Sequence, residues 1–218
     1  MVYDIITLYN QMTTLKLEKF VKPNDPILTR IAEPVGMHEI TSQETQGIIK
    51  EMLEVAFGEQ KDAEKPLLVG LAAPQIGISK RIILVDVIAD GKGKVGDLRL
   101  YINPEIIWSS EEQEEWYEGC FSTSCVCGIV SRPVKIKIRA YTKDGKMVEE
   151  EYVNYTARIF QHEIDHLNGK EFTTHVTDDS KLHWVEKEEF PIYRNEQKWR
   201  DWPNICPREK WNKIKGIS

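Results

Sequence analysis

Two histidines four residues apart with a glutamate between them, His162-Glu163-Ile164-Asp165-His166, are the residues of this chain whose types and spacing most directly offer chemistry. Along a helix, four residues advance about 6 Å and end about 40° past one full turn, so both imidazoles can reach one cation. Glu163, beside the first of them, can take a proton from a water that the cation polarises. The same pattern arises by chance on solvated helix faces. Ala157, Phe160, Ile164 and Leu167, at helical spacing, argue against a free surface because they would anchor the helix in a core.

A site that activates water needs a third protein ligand and an open position. Cys120, in Glu118-Gly119-Cys120-Phe121-Ser122, is the candidate: glycine permits close backbone approach, and a cation stabilises a thiolate. Spacing alone does not separate it from an inert buried cysteine. The nearby Cys125 and Cys127 read as small loop fillers, with metal ligation or oxidation as the alternative. Glu186 or Glu188 would be the downstream ligand if the chain were instead an HExxH zinc peptidase, and His175 lacks the spacing of the longer metzincin pattern.

The elements that must position these residues are readable from periodicity. Lys22-Pro23-Asn24-Asp25-Pro26 is turn chemistry, and capping-box spacing between Thr41 and Glu44 predicts a helix whose apolar face carries Ile48, Met52 and Val55. After a polar loop at 59–65, the runs 67–69 and 81–87 read as buried strands around a glycine-containing segment. The runs 98–108 and 113–118 read as a further strand pair. Alternation at Val134, Ile136, Ile138 and Ala140, then Asp144-Gly145, predicts a strand and a hairpin into 147–153. From Thr156 the period becomes helical, and Gly169 supplies a stop. The predicted fold class is α+β, with antiparallel or mixed β-sheets packed around a central helix carrying HExxH and an N-terminal helix. Beyond Thr177 the chain is charged and rich in tryptophan, and Pro191, Pro203 and Pro207 exclude one long helix. The division expected is a catalytic domain at 1–177 and an extension at 178–218.

Composition excludes other classes. The chain has 218 residues, enough for one compact domain, and 41% hydrophobic with 29% charged residues is ordinary for a globular protein. No apolar run approaches the roughly 20 residues of a membrane span. The first five residues lack the features of a secretory signal, and four cysteines do not form a secreted disulfide framework, so a cytoplasmic protein is expected. A net charge of −6 argues against nucleic-acid or lipid binding. The segment 180–218, with nine Lys or Arg against six Asp or Glu, is weakly basic.

Three segments in order, VGLAAPQIG (69–77), EGCFS (118–122) and QHEIDHLNG (161–169), resemble the signature motifs of peptide deformylases. The segment 22–35 is similar to that family's early Asp-Pro region, and the interval of 42 residues from Cys120 to His162 is typical of it. The resemblance covers roughly 23–175. It implies removal of the formyl group from the formyl-methionine of nascent peptides, with Cys120, His162 and His166 holding one divalent metal and Glu163 as general acid and base. Fe(II) is the implied metal, with Zn(II) or Ni(II) as alternatives. Gln75 and the backbone N–H of Phe121 would stabilise the oxyanion. Val69 and Gly70 would present backbone to an extended peptide, Ile159 would line the methionine pocket or serve as plain core, and Glu118 and Arg132 would stand behind the ligands.

The chain departs from the family's pattern at Leu68, where a glycine is usual, at Phe121 in place of leucine, and at Cys127, where an arginine is usual. A changed preference among peptides is therefore expected. A degenerate binding protein with a structural metal is the remaining alternative, and the ribosome is an expected partner, with the basic tail as a docking aid or a packed appendage.

Overall fold

The computed structural model describes residues 19–60 and 68–217, so the N-terminal pentapeptide, Leu67 and most of the 59–65 loop lie outside the described residues. Among these described residues, eight strands form two sheets. The larger has the order β1-β2-β3-β6-β7, all neighbours antiparallel, from β1 (Gly70–Ala72), β2 (Ile82–Asp86), β3 (Leu98–Ser109), β6 (Lys135–Tyr141) and β7 (Met147–Val153). The smaller has the order β4-β5-β8, from β4 (Gln113–Gly119), β5 (Val126–Pro133) and β8 (Leu182–Trp184). Among the described residues four α-helices accompany the sheets: α1 (Gln43–Gln60), α2 (Asn154–Leu167), α3 (Phe190–Arg194) and α4 (Arg208–Lys215).

The α+β class holds, and the hydrophobic pattern explains how the layers stack. All five residues of β2 are buried because both faces of its sheet are covered. Ile83 and Val85 share a core with Ala157, Phe160, Ile164 and Leu167 of α2, whereas Ile82 and Leu84 share one with Ile49, Met52 and Val55 of α1. In β6 only Ile136, Ile138 and Ala140 are buried, the half-buried alternation read from the sequence. The Asp144-Gly145 hairpin is present, with Gly145 at φ +76° and Thr142 N–H bonded to Lys146 O.

Four expectations need correction. The cap of α1 lies one residue late: Ser42 Oγ accepts from Thr45 N–H at 3.2 Å, so the helix starts at Gln43 instead of pairing Thr41 with Glu44. The strand expected at 67–69 begins at Gly70. The runs 98–108 and 113–118 are strands but not partners, because β3 pairs with β2 and β6 while β4 pairs with β5. Finally, β5 was not expected at all. It is the central strand of its sheet and buried from Val126 to Val130, so Val-Cys-Gly-Ile-Val carries no alternation.

The tail breaks into short helices, as its prolines dictate, and folds onto the smaller sheet. β8 pairs with β5, and Cys206 and Trp211 pack with Val126, Val130 and Phe172. Tyr193 and Trp199 are fully buried against Tyr117 and Cys127.

Candidate metal centre

α2 runs between the two sheets and brings the HExxH residues inside. Asn154, at φ +54°, turns the chain out of β7, and its N–H bonds Val134 O at 2.7 Å. At the other end Gly169, at φ +66°, passes so close to the backbone of Thr29 that a Cβ there would stand 2.7 Å from it. His162 and His166 are 9% and 1% exposed, with ring centroids 5.0 Å apart. Cys120 follows the last residue of β4, and its carbonyl accepts both the N–H and the hydroxyl of Thr123 at 3.0 Å. The ligand atoms of Cys120, His162 and His166 all lie within 4.8 Å of one another, the one such group of three among the described residues. Cys120 Sγ is 3.4 Å from His166 Nε2. Tetrahedral coordination at ordinary bond lengths separates sulfur from nitrogen by about 3.6 Å, so this pair fits a cation without rearrangement.

The charges around the donors fit a cation as well. Glu118, fully enclosed, takes four donors: Arg132 Nε at 2.6 Å and Arg158 Nη1 at 2.8 Å on Oε1, Arg132 Nη2 and His162 Nδ1 at 2.9 Å on Oε2. Burial would raise its pKa, but the Arg132 charge and these hydrogen bonds hold it well below the usual carboxylate range. A carboxylate there fixes the proton of His162 on Nδ1 and leaves the Nε2 lone pair for a metal. Burial and the neighbouring His162 hold His166 well below the ordinary imidazole value, so it too offers a lone pair. Arg132 continues to Asp165 Oδ2 at 2.8 Å, which His175 Nε2 also reaches at 2.8 Å. Arg158 was not foreseen, although it lies one helical turn before His162 on the same face. Its other bonds, at 3.0 and 2.6 Å, go to the carbonyls of Val130 and Glu114 and tie α2 to the smaller sheet.

Glu163 is 4% exposed and its Oε2 has no hydrogen-bond partner. Burial pushes its pKa up to about 7. Gly70 makes this placement sterically feasible: a methyl there would overlap Glu163 Oε1 and come within 2.8 Å of Ile159 Cγ2. Gln75 is oriented from both ends, with Oε1 accepting Ala72 N–H at 2.7 Å and Nε2 donating to Cys120 Sγ at 3.1 Å. β1 is the edge of its sheet, and Val69 O turns inward to accept Asp86 N–H at 2.8 Å. By strand alternation the N–H and C=O of Gly70 face outward, away from β2.

A cavity of about 540 Å³ opens over these groups and is lined by Val69, Gly70, Gln75, Cys120, His162 and Glu163, among others. Ile159 lines it and also belongs to the core under α2. The Leu68 side chain is buried in the core beneath α1, and Phe121 stacks on Phe20 at 4.8 Å. Cys127, buried in β5, lines the cavity as well. Neither Glu186, which accepts from Trp184 Nε1 at 2.6 Å, nor Glu188 is grouped with the donors, so the zinc-peptidase ligand set is not assembled among the described residues.

An α+β fold whose buried helix sets two imidazoles and a thiol around one point, beside an unpaired carboxylate, defines a metal-dependent hydrolase. The polypeptide deformylase family model matches residues 17–182. Peptide deformylase of Pseudothermotoga lettingae is 37% identical over 174 residues, 80% of this chain and 91% of that protein. A class I type b peptide deformylase from Acinetobacter baumannii, solved with Met-Ala-Ser bound, is 33% identical with a TM-score of 0.65 and covers 72% of this chain and 96% of its own. The Plasmodium falciparum peptide deformylase, in complex with an inhibitor, is 28% identical with a TM-score of 0.63, covering 90% and 98%. The chain belongs to the polypeptide deformylase family, enzymes that remove the N-formyl group from the formyl-methionine of new peptides.

Proposed function

We propose that Cys120, His162 and His166 hold the metal of this deformylase and that Glu163 moves the protons of the reaction. The observation that carries this reading is the convergence of three donor atoms within 4.8 Å beside a carboxylate oxygen that has no partner. A bound divalent cation supplies Lewis acidity there, making a water acidic and polarising the formyl oxygen. Glu163 accepts the proton lost by the attacking water and returns it to the amine nitrogen as the C–N bond breaks, leaving formate and a free N-terminus. Gln75 Nε2 and the Phe121 N–H donate to the formyl oxygen as it gains charge. Val69 and Gly70 lie along the peptide, and the outward amide of Gly70 pairs with its backbone as an added strand would. Ile159 packs on the methionine side chain, and Glu118 and Arg132 keep His162 in its ligating tautomer.

One thiolate with two imidazoles suits Fe(II), Zn(II) or Ni(II), and we assign Fe(II) as the cellular metal and the other two as metals of purified protein. The substrates are formyl-methionyl peptides, met in the cytoplasm on or near the ribosome, where the basic 180–218 segment supports docking. Residues 1–177 form the catalytic unit, and 178–218 serve as an appendage that walls its cavity. The test is formate release from formyl-Met-Ala-Ser by anaerobically purified protein, with metal content measured in parallel. One equivalent of metal and turnover are expected, both lost in Cys120→Ala. A Cys120→Ala protein that binds metal as tightly as the parent would refute the ligand assignment.

A further inference from the structure

The cavity that starts at the donor atoms ends on the C-terminal segment, where Val185, Lys187, Phe190 and Arg194 form its wall. Phe190 lies against the strand that delivers Cys120: its ring is 3.6 Å from where a Cβ of Gly119 would stand. Arg194, at the end of α3, donates from Nε to the Tyr117 hydroxyl at 2.9 Å. Tyr117 is 7% exposed and burial raises its pKa, so the hydroxyl stays neutral and serves as a fixed acceptor. One edge of the guanidinium is thereby tied to β4. Among the described residues, neither its two terminal nitrogens nor Lys187 has a hydrogen-bond or ion-pair partner.

Among the described residues no acid forms an ion pair with either cation. Of these residues, the acids that line the cavity are Glu118 and Glu163. Glu118 is consumed by Arg132, Arg158 and His162, and Glu163 stands beside the donors. In the same loop as Lys187, Glu186 accepts from Trp184 Nε1 at 2.6 Å, and Glu189 accepts from Glu186 N–H at 3.0 Å and Asn204 Nδ2 at 3.4 Å. Among the described residues, the tail end of the cavity therefore carries two positive charges with no ion-pair partner. One of them is on a half-buried, pre-oriented guanidinium, the group best suited to a carboxylate.

We propose that Arg194, with Lys187 at the rim, is a specificity-determining residue that holds an anionic group of the bound peptide downstream of its formylated methionine. This rests on the deformylase reading above and adds a substrate preference to it. A side-chain carboxylate of Asp or Glu and the free α-carboxylate of a short peptide share the required chemistry. A charge-assisted hydrogen bond in a partly dry site gives roughly a 10- to 100-fold preference for the anionic peptide.

The test is a calorimetric titration of the metal-loaded full chain with three product peptides: Met-Ala-Glu-amide, Met-Ala-Gln-amide and Met-Ala-Gln with a free C-terminus. Binding of the first at least tenfold tighter than the second is expected, with the third reporting whether the α-carboxylate serves equally. Arg194→Gln should bring the ratio of the first two near one. Arg194→Lys should keep part of it, and raising salt from about 0.05 to 0.5 M on the unsubstituted protein should shrink it even if a variant fails to fold. Acidic and neutral amides binding within twofold, or an Arg194→Gln protein weaker for all peptides with its ratio intact, would overturn the proposal. Formate release assayed alongside separates the two readings. Release without charge discrimination removes the subsite alone, and discrimination without release upholds the subsite while removing the deformylase assignment.

Discussion

Replacing Glu118 by glutamine keeps the shape of the side chain and removes its charge, and the bonding around it makes the outcome calculable. Four donors converge on two carboxylate oxygens, at 2.6 and 2.8 Å on one and 2.9 Å twice on the other. A glutamine can accept at only one of those positions. With its NH2 group at the Oε1 position it faces Arg132 Nε and Arg158 Nη1, donor against donor. With the NH2 group at the Oε2 position it faces Arg132 Nη2 and His162 Nδ1, and His162 can accept only by moving its proton to Nε2, which takes away the lone pair meant for the metal. In either orientation two charge-assisted bonds are lost in a site where Glu118 and Arg132 are 5% exposed. At about 1.5–3 kcal/mol each, the expected loss is about 3–6 kcal/mol, the same order as removing one partner of a buried ion pair. Metal affinity should fall about 10- to 100-fold. Chelator competition measures the second quantity, and denaturant unfolding of metal-free protein measures the first. Affinity and stability both within a factor of two of the parent would refute the argument that Glu118 organises the site.

Other substitutions report on separate parts of the same geometry. Gly70→Ala should lower formate release about 100-fold by displacing Glu163, at a cost of about 1–3 kcal/mol in stability, with metal content unchanged by elemental analysis. In metal-free protein, Glu163 has its folded pKa raised to about 7, so the native state holds the extra proton and stability falls as pH rises from about 4.5 to 7. Metal-free Glu163→Gln should therefore be more stable than the parent at pH 8, by about 3 kcal/mol in urea unfolding, while releasing no formate. The opposite sign applies to His183, whose pKa is lowered by burial and whose ring bonds the Tyr193 hydroxyl at 2.9 Å. The unfolded chain takes up a proton there first, so the tail should loosen as pH drops below about 6.5, read as a change in tryptophan fluorescence that His183→Gln diminishes.

The parts of this protein legible in its sequence are those with local periodicity or fixed spacing. α2 with its apolar stripe, the β6 alternation, the 144–145 turn and the His162–His166 pair announce themselves within a few neighbours, whereas Cys120 is set apart from an inert cysteine only by the family resemblance. What escaped depends on residues distant in the chain. β5 has no alternation because strands flank it on both sides, and β3 and β4 follow each other in sequence yet belong to different sheets. Arg158 carries no local signal of its role, and only the approach of Glu118 from β4 gives it a place inside. Lys187, Phe190 and Arg194 lie in a segment read merely as charged and aromatic, and no short-range rule brings them to Gly119.

The order in which the wall and the donors occur along the chain has a consequence for biosynthesis. All three donor residues, Glu163 and the Glu118 cluster have been polymerised once residue 166 is added, whereas β8, α3 and the buried Lys215–Glu171 pair at 2.6 Å come later. Until then β5 has β4 alone beside it, and one side of the cavity is exposed to water. The donor set is thus made before the segment that walls the peptide channel, and a chain ending at residue 177 would carry every donor and lack that wall.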